Sequence, residues 1–139
     1  MKIFIDENLP PRLSHGIQYL EEPNARGVEV LSIKEVFGKE GSPAQDEDWI
    51  PQVGAQEGVV ITQDFNIHRL KSQYDLYRDN RVGLFIIRPP KKIGYSYWQF
   101  VQIIVKEWND IIEQSKSNTK PFLSIHEYTT PSKGFKLQK

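Results

Sequence analysis

The chain has 139 residues, 38% hydrophobic and 26% charged, which is the range of one compact domain with a single core. Lysine plus arginine and aspartate plus glutamate stand at 18 each, so net charge supplies no long-range pull toward nucleic acid or membrane, and any such binding must come from local patches. Cysteine is absent, which excludes disulfides, thiolate metal sites and cysteine nucleophiles.

Lys2 is followed by a short apolar run that ends at Asp6, too short for the core of a signal peptide. No apolar run approaches the roughly 20 residues of a membrane helix. A soluble cytoplasmic protein with no membrane partner is the expectation.

Lys2 to Ile5 reads as a buried strand, β-branched and aromatic, that stops at a polar cluster instead of alternating. Pro10 and Pro11 suit the first turn of a helix, where a missing amide hydrogen costs nothing. Leu13, Ile17 and Leu20 continue it, and it should stop before Pro23. Residues 28–33 form a second candidate strand, followed by a loop through Gly38 and Gly41 to Pro43. Asp46, Glu47 and Asp48 open the next helix as first-turn acids, Trp49, Ile50 and Val53 make its apolar face, and Gly58 closes it.

Val59 to Thr62 is a third buried strand, running into Gln63-Asp64-Phe65-Asn66. A helix is predicted within 67–77, with Ile67, Leu70, Tyr74 and Tyr77 on one stripe, then a fourth strand over 82–87 stopped by Pro89-Pro90. From Ser96 to about Gln114, Tyr97, Val101, Ile104, Trp108 and Ile111 recur at helical spacing. The reading is a single domain with its core in about 1–115 and a C-terminal extension over 116–139, where Phe122, Leu123 and Ile125 suggest a late strand and 131–134 a turn or loose end. Strands alternating with helices predict an α/β sandwich with a mostly parallel sheet.

In such sheets functional groups gather in the crevice at the carboxyl ends of the strands. Asp6 follows the first strand and Asp64 the third, and the helix opened by Asp46 to Asp48 must start near the same rim to feed the third strand. Three acidic clusters distant in sequence therefore converge. Carboxylates in close quarters raise one another's pKa unless a cation joins them, and Mg2+ or Mn2+ is the hard, oxygen-preferring occupant. Such a site activates water and neutralises a phosphate under in-line attack. The bland alternative is that Asp6 or Asn8 caps the first helix and the 46–48 run merely complements a helix dipole; the joint placement of the three clusters favours the metal.

The segments IDENLPPRL and SPAQDEDWIPQVGAQEGVVITQDFNI resemble the PIN-like toxin domains of type II toxin-antitoxin systems, over roughly 1–88. The resemblance implies a PIN-like three-layer α/β/α fold and a metal-dependent ribonuclease using Mg2+ or Mn2+. It makes Asp6 the first acid, Asp46 with Glu47 the second and Asp64 the third. Asp6, Asp46 and Asp64 are the metal ligands on this reading, with Glu7, Asp48, Thr62 and Asn66 as accessory candidates. Asn66 stands where such sites often carry a fourth acid; an amide can ligate through oxygen but adds no charge. The partners implied are an RNA substrate and an antitoxin that covers the acidic cleft, and the long apolar helix could serve contacts of a homodimer.

His68, Arg69 and Lys71 could meet RNA phosphates, and Arg78, Arg81, Arg88, Lys91 and Lys92 could extend a basic track, although solvated helix faces carry such residues routinely. Tyr95, Tyr97 and Trp98 could stack on bases, with core or interface roles as the alternative. His15 and His126 read as structural. A catalytically inactive PIN-like module that binds RNA or protein is the competing function, favoured by Asn66. A receiver-like phosphoacceptor domain is a third, for which the Asp46 to Trp49 segment has no evident job.

Overall fold

The computed structural model describes residues 1–6, 8–38, 45–63, 67–90, 94–128 and 133–138, with backbone only over 67–72. Glu7, Asp64 and Asn66 lie outside the described residues, as do Lys91 and Lys92, and so do the side chains of His68, Arg69 and Lys71.

The strands are β1 (Lys2–Ile5), β2 (Glu29–Ser32), β3 (Val59–Gln63), β4 (Gly83–Ile87), β5 (Phe122–His126) and β6 (Phe135–Gln138). They form one sheet in the order β2-β1-β3-β4-β5-β6, parallel throughout except for β6, which runs antiparallel to β5. The helices are α1 (Pro11–Glu21), α2 (Ile33–Phe37), α3 (Asp46–Ala55), α4 (Ile67–Asp79) and α5 (Tyr97–Ser117), with a 3-10 turn at Glu22–Asn24.

Two separate cores explain why the strands are apolar without alternation. Ile3, Ile5, Val59, Ile61, Phe85 and Ile87 pack with Leu13 and Ile17 of α1 and with Phe100, Ile104 and Ile111 of α5. Phe4, Val60, Leu84 and Ile86, from the intervening positions, pack with Trp49, Ile50 and Val53 of α3 and Tyr77 of α4. Successive side chains point to opposite faces, so a strand covered on both sides must be apolar at every position. The α/β/α sandwich with a mostly parallel sheet is thus observed.

Local chemistry departs from the sequence reading in a few places. Ser32 ends β2 and its hydroxyl accepts the Glu35 N–H at 3.3 Å, so α2 starts where a loop was expected. The left-handed residue closing α3 is Glu57, at φ 55°, not Gly58. Gly58 is required for space: its N–H donates to the Val53 carbonyl at 2.9 Å, and a Cβ there would press into Val53 and the Phe4 ring. Tyr97, predicted on the apolar stripe of α5, is 40% exposed, while Phe100 takes the core position. Beyond α5 the chain contributes two sheet strands, and Phe122 and Phe135 both pack edge-on to Phe85 at about 5.4 and 5.3 Å between centroids. The pairing of β6 was not legible from its sequence, because only Phe135 of its four residues is buried. Among the described residues no helix is long and apolar enough to cross a membrane.

Candidate active site

The parallel pairing of β1 with β3, in register at Ile5 and Ile61, sets up the site. Asp6 extends that ladder by one residue, its N–H donating to the Ile61 carbonyl at 3.0 Å. The pleat then carries Asp6 to the side of Phe4 and Val60, which is the side of α3 and α4. Thr62 points the same way, and its hydroxyl donates to Asp6 Oδ2 at 2.7 Å. The Asn8 N–H donates to Asp6 Oδ1 at 3.3 Å, and the Leu9 N–H to the Asp6 carbonyl at 3.1 Å, so the carboxylate also shapes the turn out of β1.

That turn leads into α1 without a cap from either polar residue. The N-cap is Pro10, in extended conformation with no side-chain hydrogen bond, and Pro11 is the first helical residue. Helix capping by Asp6 or Asn8 is therefore ruled out as their role. The prolines launch the helix because their fixed φ suits its first turn and their missing donors are not needed there.

Asp46 begins α3 and is half-buried, whereas Glu47 and Asp48 beside it are not buried and complement the helix dipole. Asp46 Oδ1 accepts the Trp49 indole N–H at 3.1 Å, and Oδ2 accepts a hydrogen bond from the Gln73 amide of α4. Among the described residues no cation pairs with it. The two helices run side by side because Gly54 lets α3 approach the Asn80 backbone closely; a Cβ on Gly54 would collide with the Asn80 carbonyl. Sequence reasoning missed Gln73 altogether. The Asp46 to Trp49 pair stood in reach, since residues three apart share a helix face, but a glutamine on another helix gave no local signal.

Asp6 with Thr62, and Asp46 with Trp49 and Gln73, are thus two carboxylates oriented by neutral donors on one side of the sheet. Among the described residues no three His, Cys, Asp or Glu side chains form a group that could hold a metal ion. Asp64, expected as the third acid, lies outside those residues, as do Glu7 and Asn66. The donor set that is described is all oxygen on partly exposed carboxylates, which fits a hard divalent cation.

Residues 1–89 of the 139 match the family model of the PIN like domain. The chain belongs to the PIN-like domain family. Domains of this family are in general nucleases and in general use divalent metal ions. No curated protein and no solved structure gave a significant match. The matched segment of this PIN-like chain ends just past β4, so α5, β5 and β6 lie outside it.

The remaining candidates divide clearly. Arg78 pairs with Asp75 at 3.0 Å and lies 3.5 Å from Asp79, and Arg88 pairs with Glu127 at 2.8 Å, so these two members of the expected basic track are engaged with carboxylates. His15 bonds the exposed Glu35 carboxylate at 2.9 Å. Tyr97 and Trp98 are exposed and in edge contact at 5.5 Å. His126 closes β5, buried, and its pKa is lowered chiefly by that burial.

Proposed function

We propose that this PIN-like protein is a divalent-metal-dependent endoribonuclease hydrolysing RNA phosphodiester bonds, and that it acts in the cytoplasm as the toxin of a type II toxin-antitoxin system. The observation that carries the reading is the Asp6 carboxylate, held by the hydroxyl of Thr62 at the carboxyl edge of the sheet, on the side where Asp46 is braced by Gln73.

Asp6 and Asp46 would hold the ion, with Asp64 as the third ligand by its place directly after β3 in the sequence. Mg2+ or Mn2+ bound there supplies Lewis acidity, polarising water and neutralising phosphate charge. Thr62 and Gln73 keep the two carboxylates in position, so that little reorganisation accompanies binding. Glu47, exposed beside Asp46 in the first turn of α3, would orient a water toward the phosphate. An antitoxin segment covering this rim would silence the enzyme by excluding RNA.

Incubation of labelled RNA with the purified protein tests the reading. Cleavage is expected with Mg2+ or Mn2+, none with EDTA, and none by the Asp64→Asn protein; equal cleavage by that variant would sink the mechanism. Toxicity on expression, relieved by Asp6→Ala, tests the toxin assignment separately. Metal-independent RNA binding with no cleavage over a broad substrate panel would instead select the inactive binding module, for which Asn66 speaks.

A further inference from the structure

A cavity of about 280 Å³ opens between the first turns of α5 and the end of β5, lined by Tyr95, Gln102, Lys106, Glu107, His126 and Tyr128 together with neighbouring side chains. β5 is parallel to β4, β3 and β1 and stands three places from β1, so His126 ends its strand on the rim that Asp6 also occupies. At about 4.8 Å per strand the cavity lies on the order of 14 Å along the rim from Asp6. An extended single strand covers that span in a few nucleotides. The cavity is on the α5 side, because His126 contacts Phe135 of the core beneath α5, with ring centroids 5.3 Å apart. A strand whose phosphate reached Asp6 would cross the rim to enter it.

The lining has the chemistry of a base pocket. Tyr95 packs partly against the core, while Tyr128 is 55% exposed at the mouth, giving one anchored and one adjustable aromatic surface. Burial, with Tyr128 adding to it, pushes the Tyr95 phenol up, so Tyr95 stays a neutral hydroxyl donor. Gln99 spends its carbonyl oxygen in the capping box of α5, accepting the Ser96 N–H at 2.8 Å, which leaves its NH2 donors, together with the Gln102 amide, for a ligand edge. Lys106 brings an ammonium suited to a phosphate, and Glu107 a carboxylate suited to an amine. The volume falls just below the roughly 300–1,000 Å³ of pockets for drug-sized ligands, which is room for a single base and not for a folded RNA element.

We propose that this cavity is a subsite for one nucleobase of single-stranded RNA, with the Glu107 carboxylate selecting bases that carry an exocyclic amine over uracil. The choice of RNA as ligand rests on the nuclease reading above. A carboxylate accepts from the amine of cytosine or adenine and is repelled by the carbonyl that uracil presents in its place.

Fluorescence anisotropy in EDTA, with short labelled oligo(C) and oligo(U), separates binding from cleavage. Wild type should bind oligo(C) about fivefold more tightly than oligo(U), and Tyr128→Ala should weaken both about tenfold through lost stacking. Glu107→Gln should bring the two affinities together. Tyr19→Ala, exposed on α1 and outside the cavity, should change neither. Circular dichroism and thermal unfolding of each variant confirm that the fold is kept. Wild-type affinity in Tyr128→Ala overturns the subsite, as does failure of wild type to bind either oligonucleotide, and equal wild-type affinities remove the role of Glu107. A parallel cleavage assay keeps the two readings apart. A wild type that cuts RNA while Tyr128→Ala loses no affinity removes the pocket and keeps the nuclease; binding through the pocket without cutting does the reverse.

Discussion

Glu21 and Asp46 are both carboxylates that accept a tryptophan indole N–H, from Trp108 at 2.9 Å and from Trp49 at 3.1 Å respectively, and the rest of their surroundings sends them to opposite uses. Glu21 ends α1, is 3% exposed, and also accepts two bonds from the Arg26 guanidinium, at 2.7 and 3.0 Å, and one from Asn24 at 3.2 Å. The guanidinium first, then Trp108 and Asn24, outweigh burial and hold its pKa at about 2. Its charge is neutralised within the fold, and its lone pairs tie α1, the turn after it and α5 together. Among the described residues Asp46 is oriented only by an indole and an amide, so within them its orientation is settled while its charge is left for a cation. The same side-chain chemistry becomes a structural tie where a guanidinium joins it, and a candidate metal ligand where only neutral donors do.

The comparison breaks most visibly through Asp6→Asn, which should lower cleavage by at least about a hundredfold, since even removal of a residue supporting a metal ligand costs 10–100-fold. The urea midpoint of that variant should stay near wild type. Glu21→Gln should do the opposite: stability falls by about 3 kcal/mol, the low end of the cost of breaking a buried ion pair, while the affinity for Mn2+ measured by calorimetry stays as it was. Loss of Mn2+ affinity in Glu21→Gln with stability unchanged would reverse the assignment.

Thr62→Val keeps the side chain's size and removes the hydroxyl that donates to Asp6, and should weaken Mn2+ about tenfold without unfolding the chain. Gln73→Ala should cost about 1.5 kcal/mol of stability by stripping Asp46 of its partner on α4. A further check lies in the pH dependence. The folded pKa of Glu21 lies below the ordinary 4.5, so its stabilisation is complete above about pH 4.5 and drains away as pH falls toward about 2, where the carboxylate protonates. Urea midpoints at about pH 5 and pH 3 should therefore differ more for wild type than for Glu21→Gln.

Much of this contrast was invisible before folding. Asn24 and Arg26 stand within five residues of Glu21, but nothing in that stretch marks the carboxylate as buried, because Trp108 stands 87 positions away and meets it only when α1 and α5 settle on the same face. Asp46 drew notice for its place in an acidic run, although the residues that distinguish it from Glu47 and Asp48 are Trp49 and Gln73. Asp6 was legible as a strand-end acid, and Thr62 as an accessory candidate of the family resemblance; that the two bond each other required β1 and β3 to lie side by side.

The sequence by itself determined the alternation of strands and helices, since apolar runs covered on both faces and helices marked by prolines, first-turn acids and periodic stripes are written in local residue order. It also determined that acids would stand at strand ends. The tertiary structure alone decided strand order, the recruitment of β6 to the sheet edge, the Gln73 brace on Asp46 and the cavity beside His126. Those depend on contacts between residues far apart in the chain, whose energies exist only once the sheet has assembled and the two helical layers have closed over it.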